Sequence, residues 1–513
     1  MSEEQREELL YPTQDEGEYE VSTSSIETIQ NANEEDTDVK DIELPSIQYF
    51  YMSPYTHERL QSIPSAEQYG RITRIVGLIA EAKGIQASLG TLCYIYPSSL
   101  TEEPIFAEVV GFKEETVLLM PFSDMRGIMP GSLITVSEVT DTFPMGTALL
   151  GRTLDAFGNP IDNKGPLYTD EARSIYNAPP SPLTRPRIHE IVDTGVRAIN
   201  ALLTMGKGQR VGIMAGSGVG KSTLLGMMAR YTNATVNVIA LVGERGREVI
   251  EFIEKDLGKE GLEHSVLLVA TSDQSALLRM RAAYAATAIA EYFRDLGNDV
   301  LLMMDSVTRF AMAGREIGLA IGEPPTTKGY TPSVFAQLPK LLERTGRSDK
   351  GSITGIYTVL VDGDDFNDPV ADSVRSILDG HIVLTRELAD SGHFPAIDVM
   401  KSVSRLRQDL VPSDIIDTGR ALLRYISVYK QKEDMISIGA YTVGMNAELD
   451  RAIELQGEIN KFLTQNVKTK VSVEESFTAL RTLMNTEPQP TPNIPIQSNT
   501  PYSNEALSLS SEE

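Results

Sequence analysis

The feature that most constrains the fold of this chain is a glycine-rich run that lies between an apolar segment and a helix-forming one. The run consists of Ala215, Gly216, Ser217, Gly218, Val219, Gly220, Lys221 and Ser222. Residues 211–214 before it are apolar, and residues 223–230 after it favour a helix. A phosphate-binding loop needs this order of strand, turn and helix, because the N–H groups at the start of the helix converge on phosphate oxygens. The order predicts an α/β domain that binds a nucleotide through residues 216–223, from Gly216 to Thr223.

A second apolar run predicts where the metal ion of such a site is held. Lys221 is expected to reach the β and γ phosphates, and the Ser222 hydroxyl is expected to ligate Mg²⁺. A loop of this kind also needs a carboxylate at the end of a second strand, and Asp305 follows the apolar residues 300–304. An apolar run that ends in Asp is commonplace, but together with the loop it favours Ser222 and Asp305 as the metal ligands.

The carboxylate that activates water is expected outside this second strand, because the residue after Asp305 is Ser306. The candidate is Glu244, two residues beyond the apolar run 236–242. Ligands bind at the carboxyl ends of strands in an open parallel sheet, which favours Glu244. Two alternatives stay open: Glu248 is the base, or both acids pair with Arg245 and Arg247. The first-turn position expected for Glu248 favours a helix-stabilising role for it.

Charge and composition exclude several classes of protein. The 513 residues carry a net charge of −26, and residues 1–45 alone hold fifteen Asp or Glu against Arg6 and Lys40. A surface this acidic disfavours binding to nucleic acid. No apolar stretch approaches the roughly 18 residues that span a bilayer, and the acidic start does not resemble a secretory signal. The single cysteine, Cys93, cannot form a disulfide within the chain, so nothing in the sequence requires an oxidising compartment and a cytoplasmic protein is expected.

The pattern along the chain predicts five segments. Residues 1–69 are acidic and are expected to be largely disordered, as is the proline-containing tail 487–513. Short apolar runs between turn signals predict a small β-barrel or sandwich over residues 70–146. Apolar strands that alternate with helices predict a parallel sheet over residues 147–409, and helical periodicity without such strands follows over residues 410–486.

Three further motifs give the chain a family resemblance. Together with the loop, residues 243–248 (Gly-Glu-Arg-Gly-Arg-Glu) and 395–404 (Pro-Ala-Ile-Asp-Val-Met-Lys-Ser-Val-Ser) resemble the catalytic subunits of the rotary ATPase superfamily. Residues 322–335, which begin Gly-Glu-Pro-Pro-Thr-Thr, are similar to the type III protein-export ATPases, and more to the flagellar than to the virulence-injectisome branch. Residues 360–365 and 376–384 fit the same branch.

The resemblance implies an architecture and roles for individual residues. It implies a β-barrel, a RecA-like P-loop domain, a helical domain and a homohexameric ring that hydrolyses Mg-ATP. By motif position, the family places the catalytic glutamate at Glu244, a phosphate contact at Arg245 and an arginine finger at Arg405. It also places an adenine-stacking aromatic side chain at Phe394, where tyrosine is common.

The resemblance also implies partners, and rival functions remain open. The implied partners are further copies of the chain, a stator-like regulator, a central-stalk export protein, the export gate and chaperone–substrate complexes. Nucleic acid is not expected as a partner, and any membrane association is expected to be peripheral. The rivals are an injectisome ATPase, an ATP synthase catalytic subunit, a nucleotide-sensing assembly platform and a ring-shaped RNA translocase. Residues 446–451 are not the acidic coupling run of an ATP synthase subunit, and intact Lys221, Glu244, Asp305 and Arg405 argue against a mere sensor.

Overall fold

A computed structural model describes the chain over residues 69–97, 103–137, 141–361 and 368–485. The disorder expected for residues 1–69 and 487–513 therefore concerns segments that, apart from Tyr69, lie outside the described residues. In the described part, no helix is both long and apolar enough to cross a membrane.

The first described strands close into a small antiparallel barrel, as the turn signals predicted. In chain order they are β1 (Gly70–Val76), β2 (Ile79–Lys83), β3 (Leu92–Tyr96), β4 (Ile105–Lys113), β5 (Thr116–Pro121) and β6 (Leu133–Val136). Around the barrel the order is β1-β2-β5-β4-β3-β6. Alternate side chains point inward, so Ile95, Val109 and Leu119 are fully buried in its interior. The apolar run 72–80 is two strands rather than one, because Gly77 adopts a φ of 58° and turns the chain between them.

A nine-stranded, mostly parallel sheet forms the centre of the molecule, which confirms the predicted fold class. Its strands are β8 (Thr153–Leu154), β12 (Arg210–Ala215), β13 (Val236–Val242), β14 (Ser265–Ala270), β15 (Asp299–Asp305), β16 (Gly346–Arg347), β17 (Ser352–Leu360), β18 (Gly380–Leu384) and β19 (Val403–Ser404). The order is β19-β18-β12-β17-β15-β13-β14-β8, with β16 beside β17. Only the β18–β19 and β16–β17 pairs are antiparallel among the described pairs of this sheet.

Two short pairs of strands flank this sheet. They are β7 (Thr142–Met145) with β9 (Glu171–Ser174), and β10 (Ile191–Val192) with β11 (Met205–Gly206). The barrel strands thus end at Val136, and the chain joins the large sheet only at β8. The predicted boundary at residue 146 falls in this transition and, like the one at residue 409, stays a prediction that limited proteolysis would test.

Helices cover both faces of the large sheet. They are α1 (Arg197–Leu202), α2 (Lys221–Tyr231), α3 (Gly246–Glu251), α4 (Gly258–Glu263), α5 (Ala276–Asp295), α6 (Val307–Ala320), α7 (Pro332–Leu342), α8 (Pro369–Ile377), α9 (Arg386–Asp390) and α10 (Arg407–Leu410). A π-helical segment, Phe252–Leu257, joins α3 to α4. All seven residues of β13 are buried, and alternate ones belong to two different apolar clusters, one with α5 and one with α2. This two-sided burial explains the unbroken apolar runs of the central strands.

The last described part of the chain is helical, as its periodicity predicted. It contains α11 (Ser413–Ser437), α12 (Ala447–Leu463) and α13 (Val473–Asn485). The helix α12 begins at Asn446, whose side chain accepts hydrogen bonds from the backbone N–H groups of Glu448 and Leu449. Buried residues such as Leu455 and Leu480 pack these helices against the same apolar cluster that holds α2.

Candidate functional site

The glycine-rich loop joins the end of β12 to the start of α2, in the middle of the parallel sheet. Gly218 and Gly220 adopt φ values of 79° and 87°, which favour glycine over every other residue. Gly220 is the residue from which α2 begins, so the first N–H groups of this eleven-residue helix face the loop. Ala215, the departure from the strict pattern, is buried as the last residue of the strand. The loop therefore has the geometry of an anion site at a helix N-terminus.

Lys221, the first residue of α2, forms ion pairs with two carboxylates that lie at or just beyond the ends of neighbouring strands. Its Nζ lies 2.5 Å from Asp305 Oδ1 and 3.3 Å from Glu244 Oε1, and its side chain is only 12% exposed. Burial opposes the charged form of this amine, but the carboxylates of Asp305 and Glu244 raise the pKa of Lys221 overall. The structure thus brings together the three side chains that sequence reasoning proposed separately. They meet because β12, β13 and β15 all end at the same edge of the sheet.

Glu244 differs sharply from Glu248 in its surroundings. Glu244 lies two residues after β13, and burial, followed by the charge of Asp305, raises its pKa to about 7 against the opposing effect of Lys221. Glu248 lies in the first turn of α3, and its pKa is lowered, mainly by a hydrogen bond with Glu244. Glu248 also forms an exposed ion pair with Arg245 at 3.1 Å. Of the two glutamates, therefore, Glu244 is the one that forms an ion pair with Lys221 and has the raised pKa typical of a general base.

Asp305 is the buried carboxylate of the site. It is the last residue of β15, and its Oδ1 accepts a hydrogen bond at 2.7 Å from the Thr358 hydroxyl as well as the one from Lys221. Ser222 lies in the first turn of α2 and is partly exposed. A hydroxyl and a carboxylate offer the oxygen ligands that Mg²⁺ prefers.

The wider donor set also fits a metal ion that is shared with phosphate. Among the described residues no group of three His, Cys, Asp or Glu side chains is placed to hold a metal ion by itself. Mg²⁺ is commonly bound by one or two protein oxygens together with phosphates and water. Ser222 and Asp305 match this mode of binding.

Other predicted residues occupy varied positions. The Phe394 ring lies beside the loop, because a Cβ built on Gly220 would be 3.6 Å from two of its ring carbons. Phe394 is 44% exposed, so part of it is accessible to a ligand. Thr223 lies in the first turn of α2, and its side chain interacts with Asp256, where it opposes the effect of burial, which raises the pKa of Asp256. Arg245 is exposed and paired with Glu248 rather than directed at Lys221.

Arg405 lies at the outer edge of the sheet, immediately after β19. Its backbone N–H donates to Asp379 O at 3.0 Å, and its side chain is exposed. None of the contacts described for Lys221, Glu244 or Asp305 involves Arg405. The exposed edge position is compatible with a role toward another copy of the chain, and such a role stays a prediction.

Two residues at the site were not singled out from the sequence. Thr358 contacts Asp305 from β17, and Arg309 packs against Gly243, where an added Cβ would lie 2.8 Å from the arginine side chain. Arg309 had no local signal, because its contact with Gly243 joins α6 to the loop after β13. Thr358 had no such signal, because the sequence does not state that β17 lies beside β15.

Three parts of the chain match models of known families. Residues 195–404 match the ATP synthase alpha/beta family, nucleotide-binding domain, and residues 72–136 match the β-barrel domain of the same family. Residues 411–482 match the T3SS EscN ATPase C-terminal domain. These matches follow the three architectural parts in order.

Individual relatives are similar over most of their length. The flagellum-specific ATP synthase of Bacillus subtilis is 54% identical over 434 residues, which cover 83% of this chain and 98% of the relative. The flagellum-specific ATP synthase of Salmonella typhimurium is 49% identical, covering 82% and 95%. The type 3 secretion system ATPase of Xanthomonas euvesicatoria is 47% identical, covering 79% and 92%.

Solved structures agree with this placement. The assembled ATPase EscN from the type III secretion system of enteropathogenic E. coli has a TM-score of 0.77 at 48% identity, covering 81% of this chain and all of EscN. EscN in complex with its central stalk EscO gives 0.75 at 47% identity, with the same coverage. The chain therefore belongs to the ATP synthase alpha/beta family, in the branch of the flagellum-specific ATP synthases and type III secretion ATPases.

Proposed function

We propose that this protein hydrolyses Mg-ATP to energise protein export through the flagellar type III secretion apparatus, and that it acts as a homohexameric ring. The observation that carries the proposal is the placement of Lys221 between Glu244 and Asp305 at the mouth of the glycine-rich loop. An amine, a carboxylate with a raised pKa and a second buried carboxylate are the side chains that phosphoanhydride hydrolysis needs.

The loop binds the triphosphate and displaces the internal ion pairs. The N–H groups of residues 216–223 donate to phosphate oxygens, and Lys221 turns from the carboxylates toward the β and γ phosphates. The partly exposed ring of Phe394 stacks on the adenine ring. Ser222 and Asp305 would hold Mg²⁺, which would supply positive charge to the triphosphate when bound.

Glu244 then orients the attacking water. Water attacks the γ phosphorus in line as the bond to the bridging oxygen of ADP breaks, and Glu244 accepts the proton of the water. A pKa of about 7 suits this exchange near neutral pH. In this scheme Arg245 leaves Glu248 to contact phosphate, and Arg405 acts on the site of a neighbouring copy.

The partners proposed for the chain follow from its relatives. EscN has been solved assembled and in complex with its central stalk EscO, which supports self-association and a stalk partner for this chain. We add a stator-like regulator, the export gate and chaperone–substrate complexes as further partners. The proposed location is the cytoplasmic side of the membrane-embedded export apparatus.

The alternative is an ATPase of a virulence injectisome, since the relatives include type III secretion ATPases of that kind. The match of residues 411–482 to the C-terminal domain of EscN favours either export function over an ATP synthase catalytic subunit.

Two measurements test the proposal. The purified protein is expected to release phosphate from ATP only in the presence of a divalent cation. A clean deletion of the gene, in a strain without a redundant copy, is expected to abolish flagellar filaments and swimming, with complementation restoring both. If the deletion strain stays flagellated and motile, the flagellar function is rejected and the injectisome alternative takes its place.

A further inference from the structure

The carboxylate of Asp305 is held on one side only. Its two described hydrogen bonds, from Lys221 Nζ at 2.5 Å and Thr358 Oγ1 at 2.7 Å, both end on Oδ1. Thr358 is fully buried, and it lies in β17. The other oxygen, Oδ2, has no hydrogen bond among the described residues.

The sheet register places Thr358 next to Asp305. In the parallel pair of β15 and β17, Met304 lies opposite Tyr357, so the next residue of each strand is Asp305 and Thr358. The Thr358 hydroxyl also lies 3.3 Å from the Met304 carbonyl oxygen, which alone would satisfy it. Its single hydrogen goes to the carboxylate, because that acceptor is charged and 0.6 Å closer.

Nucleotide binding would remove one of the two hydrogen-bond donors of Asp305. In the proposed function, Lys221 turns toward the phosphates, and Asp305 loses one of the two groups that orient it. The terminal torsion of an aspartate has broad energy wells, so a carboxylate without fixed donors samples many orientations. The Thr358 hydroxyl, fixed by the packing of the sheet, does not move with the nucleotide.

We propose that Thr358 is a positioning residue for the metal site: its hydroxyl fixes Asp305 through Oδ1 so that Oδ2 faces the Mg²⁺ of the nucleotide. The inference rests on the proposed function, because it needs Asp305 as the metal carboxylate. Groups that hydrogen-bond a metal-ligating carboxylate typically contribute about 10–100-fold in metal affinity or activity.

The same strand provides a matched control. Thr354 lies four residues earlier on the same face of β17, and it is also buried. Its Oγ1 accepts a hydrogen bond from the backbone N–H of Gly208 at 3.0 Å, near the start of β12 and away from the site. Thr354→Val therefore removes a buried hydroxyl from β17 without touching Asp305.

The experiment measures metal-dependent nucleotide binding by the full chain. Binding of a fluorescent ATP analogue is titrated in EDTA and along a Mg²⁺ series for wild type, Thr358→Val, Thr358→Ser, Thr354→Val and Asp305→Asn. We expect Thr358→Val to raise the half-saturating Mg²⁺ concentration about 10–100-fold while the affinity in EDTA stays unchanged. Thr358→Ser, which keeps the hydroxyl, and Thr354→Val are expected to match wild type.

The outcomes separate this inference from the proposed function. A wild type without Mg²⁺ dependence, or an Asp305→Asn variant that binds Mg²⁺-nucleotide normally, would reject the metal assignment and this inference together. If Asp305→Asn shifts the Mg²⁺ dependence and Thr358→Val does not, only the role of Thr358 is rejected, as it is if Thr358→Ser behaves like Thr358→Val. Thr358→Ala is the second hydroxyl-free variant. If Thr358→Ser folds but neither Thr358→Ala nor Thr358→Val does, the hydroxyl is needed for the stability of the sheet, and the inference is overturned.

Discussion

At the scale of single residues, Lys221 balances the charge of two carboxylates before any nucleotide is present. Its replacement in Lys221→Ala removes the cation that phosphate needs and the partner of Glu244 and Asp305. We expect loss of hydrolysis and much weaker ATP binding, measured by phosphate release and by titration calorimetry. The fold is expected to persist, because the amine contacts site carboxylates rather than the apolar core, and circular dichroism checks this. Unchanged turnover would reject the site.

The second residue-scale prediction separates two neighbouring glutamates. Glu244→Gln removes the carboxylate that contacts Lys221, so turnover is expected to fall about 10²-fold or more while ATP still binds. Glu248→Gln is the matched control, since Glu248 is exposed and, although it hydrogen-bonds Glu244, its ion pair is with Arg245 rather than with Lys221. We expect it to retain most of the activity. The reverse result, an active Glu244→Gln and an inactive Glu248→Gln, would show that Glu248 is the base.

Much of the site could be predicted residue by residue from the sequence, and the limit has a physical cause. Lys221, Glu244 and Asp305 each lie just after an apolar strand or at its end, and parallel strands end at a common edge. Sequence patterns therefore place all three without knowledge of the strand order. Thr358 lies within β17, and its contact with Asp305 depends on which strand is next to β15 and in what register. No local pattern encodes that neighbour.

At the scale of elements, the barrel contacts the large domain through a buried charged cluster. Glu108 on β4 lies near Asp141 and near Arg281 of α5, and Arg281 is 2% exposed. The guanidinium of Arg281 pairs with Asp141 at 3.5 Å, and it also lies 4.6 Å from the centre of the Phe157 ring. Burial, followed by the charge of Asp141, raises the pKa of Glu108 to about 7, against the effect of Arg281.

Two tyrosines complete the surroundings of this cluster. Burial raises the pKa values of Tyr176 and Tyr284, so both phenols are neutral over the working pH range. Burial also raises the pKa of Asp141, against the opposing charge of Arg281, so the groups of this contact whose charge can change with pH are Glu108 and Asp141.

The element-scale prediction is a pH-dependent stability that Glu108→Gln removes. Glu108 binds its proton more tightly when folded, with a pKa of about 7 against the ordinary 4.5, so wild type loses stability as pH rises from about 5 through 7. The total is at most about 3.5 kcal/mol, since a difference of about 2.5 pKa units is worth about 1.4 kcal/mol per unit. Glutamine resembles the protonated acid, so Glu108→Gln is expected to match wild type near pH 5 and to melt at a higher temperature at pH 8.

The control for this prediction is another glutamate of the barrel. Glu115→Gln makes the same change of charge, at a side chain that is 90% exposed. Its melting temperature is expected to follow that of wild type at every pH. If the difference between Glu108→Gln and wild type does not change between pH 5 and 8, Glu108 is already charged in the folded protein.

Elements were predicted more closely than the contacts between them. The run 236–242 coincides with β13, because burial on both faces shows directly in the sequence as an unbroken apolar run. The hairpin at Gly77 was not predicted, because apolar residues on both sides of the turn hid it. The barrel contact at Glu108 was also not foreseen, since it joins parts of the chain that are distant in sequence.

At the scale of the whole molecule, the helix that starts at the site also contacts the C-terminal helical region. α2 begins with Lys221, and its last residues, Arg230 and Tyr231, donate hydrogen bonds to the Val467 carbonyl oxygen at 3.0 Å. An α-helix of eleven residues spans about 16 Å. A displacement of α2 by phosphate would therefore reach the helical region directly, which gives a ring a route from hydrolysis to movement.

The acidic extension is predicted to be dispensable for this chemistry. Residues 1–45 hold fifteen acidic residues and two basic ones, which is half of the net charge of the chain. A segment of this composition has little apolar surface to bury. A truncation that begins near Leu44 is expected to keep basal ATPase activity, measured at matched protein concentration and salt. Loss of that activity in the assembled protein would contradict the prediction.

The last prediction concerns a site shared between subunits. In the proposed function Lys221 and Arg245 of one chain contact phosphate, and Arg405 lies exposed at an outer edge of the sheet, where a second copy can approach. An arginine delivered from outside a site is worth about 10³–10⁵ in turnover. Specific activity is therefore expected to rise steeply with protein concentration, and Arg405→Ala is expected to abolish the rise while ATP binding and assembly persist.

Mixing two inactive variants tests the shared site directly. A Lys221→Ala subunit keeps Arg405, and an Arg405→Ala subunit keeps its phosphate-binding loop. Wherever the two are neighbours in the right order, one composite site is complete, so mixed rings are expected to recover part of the wild-type activity. A mixture of Lys221→Ala with the double variant Lys221→Ala, Arg405→Ala is the control, since it contains no intact loop and should stay inactive. If rings shown to be mixed recover no activity, Arg405 acts on the site of its own subunit or takes no part in hydrolysis. In either case a neighbouring subunit could not restore activity to either variant.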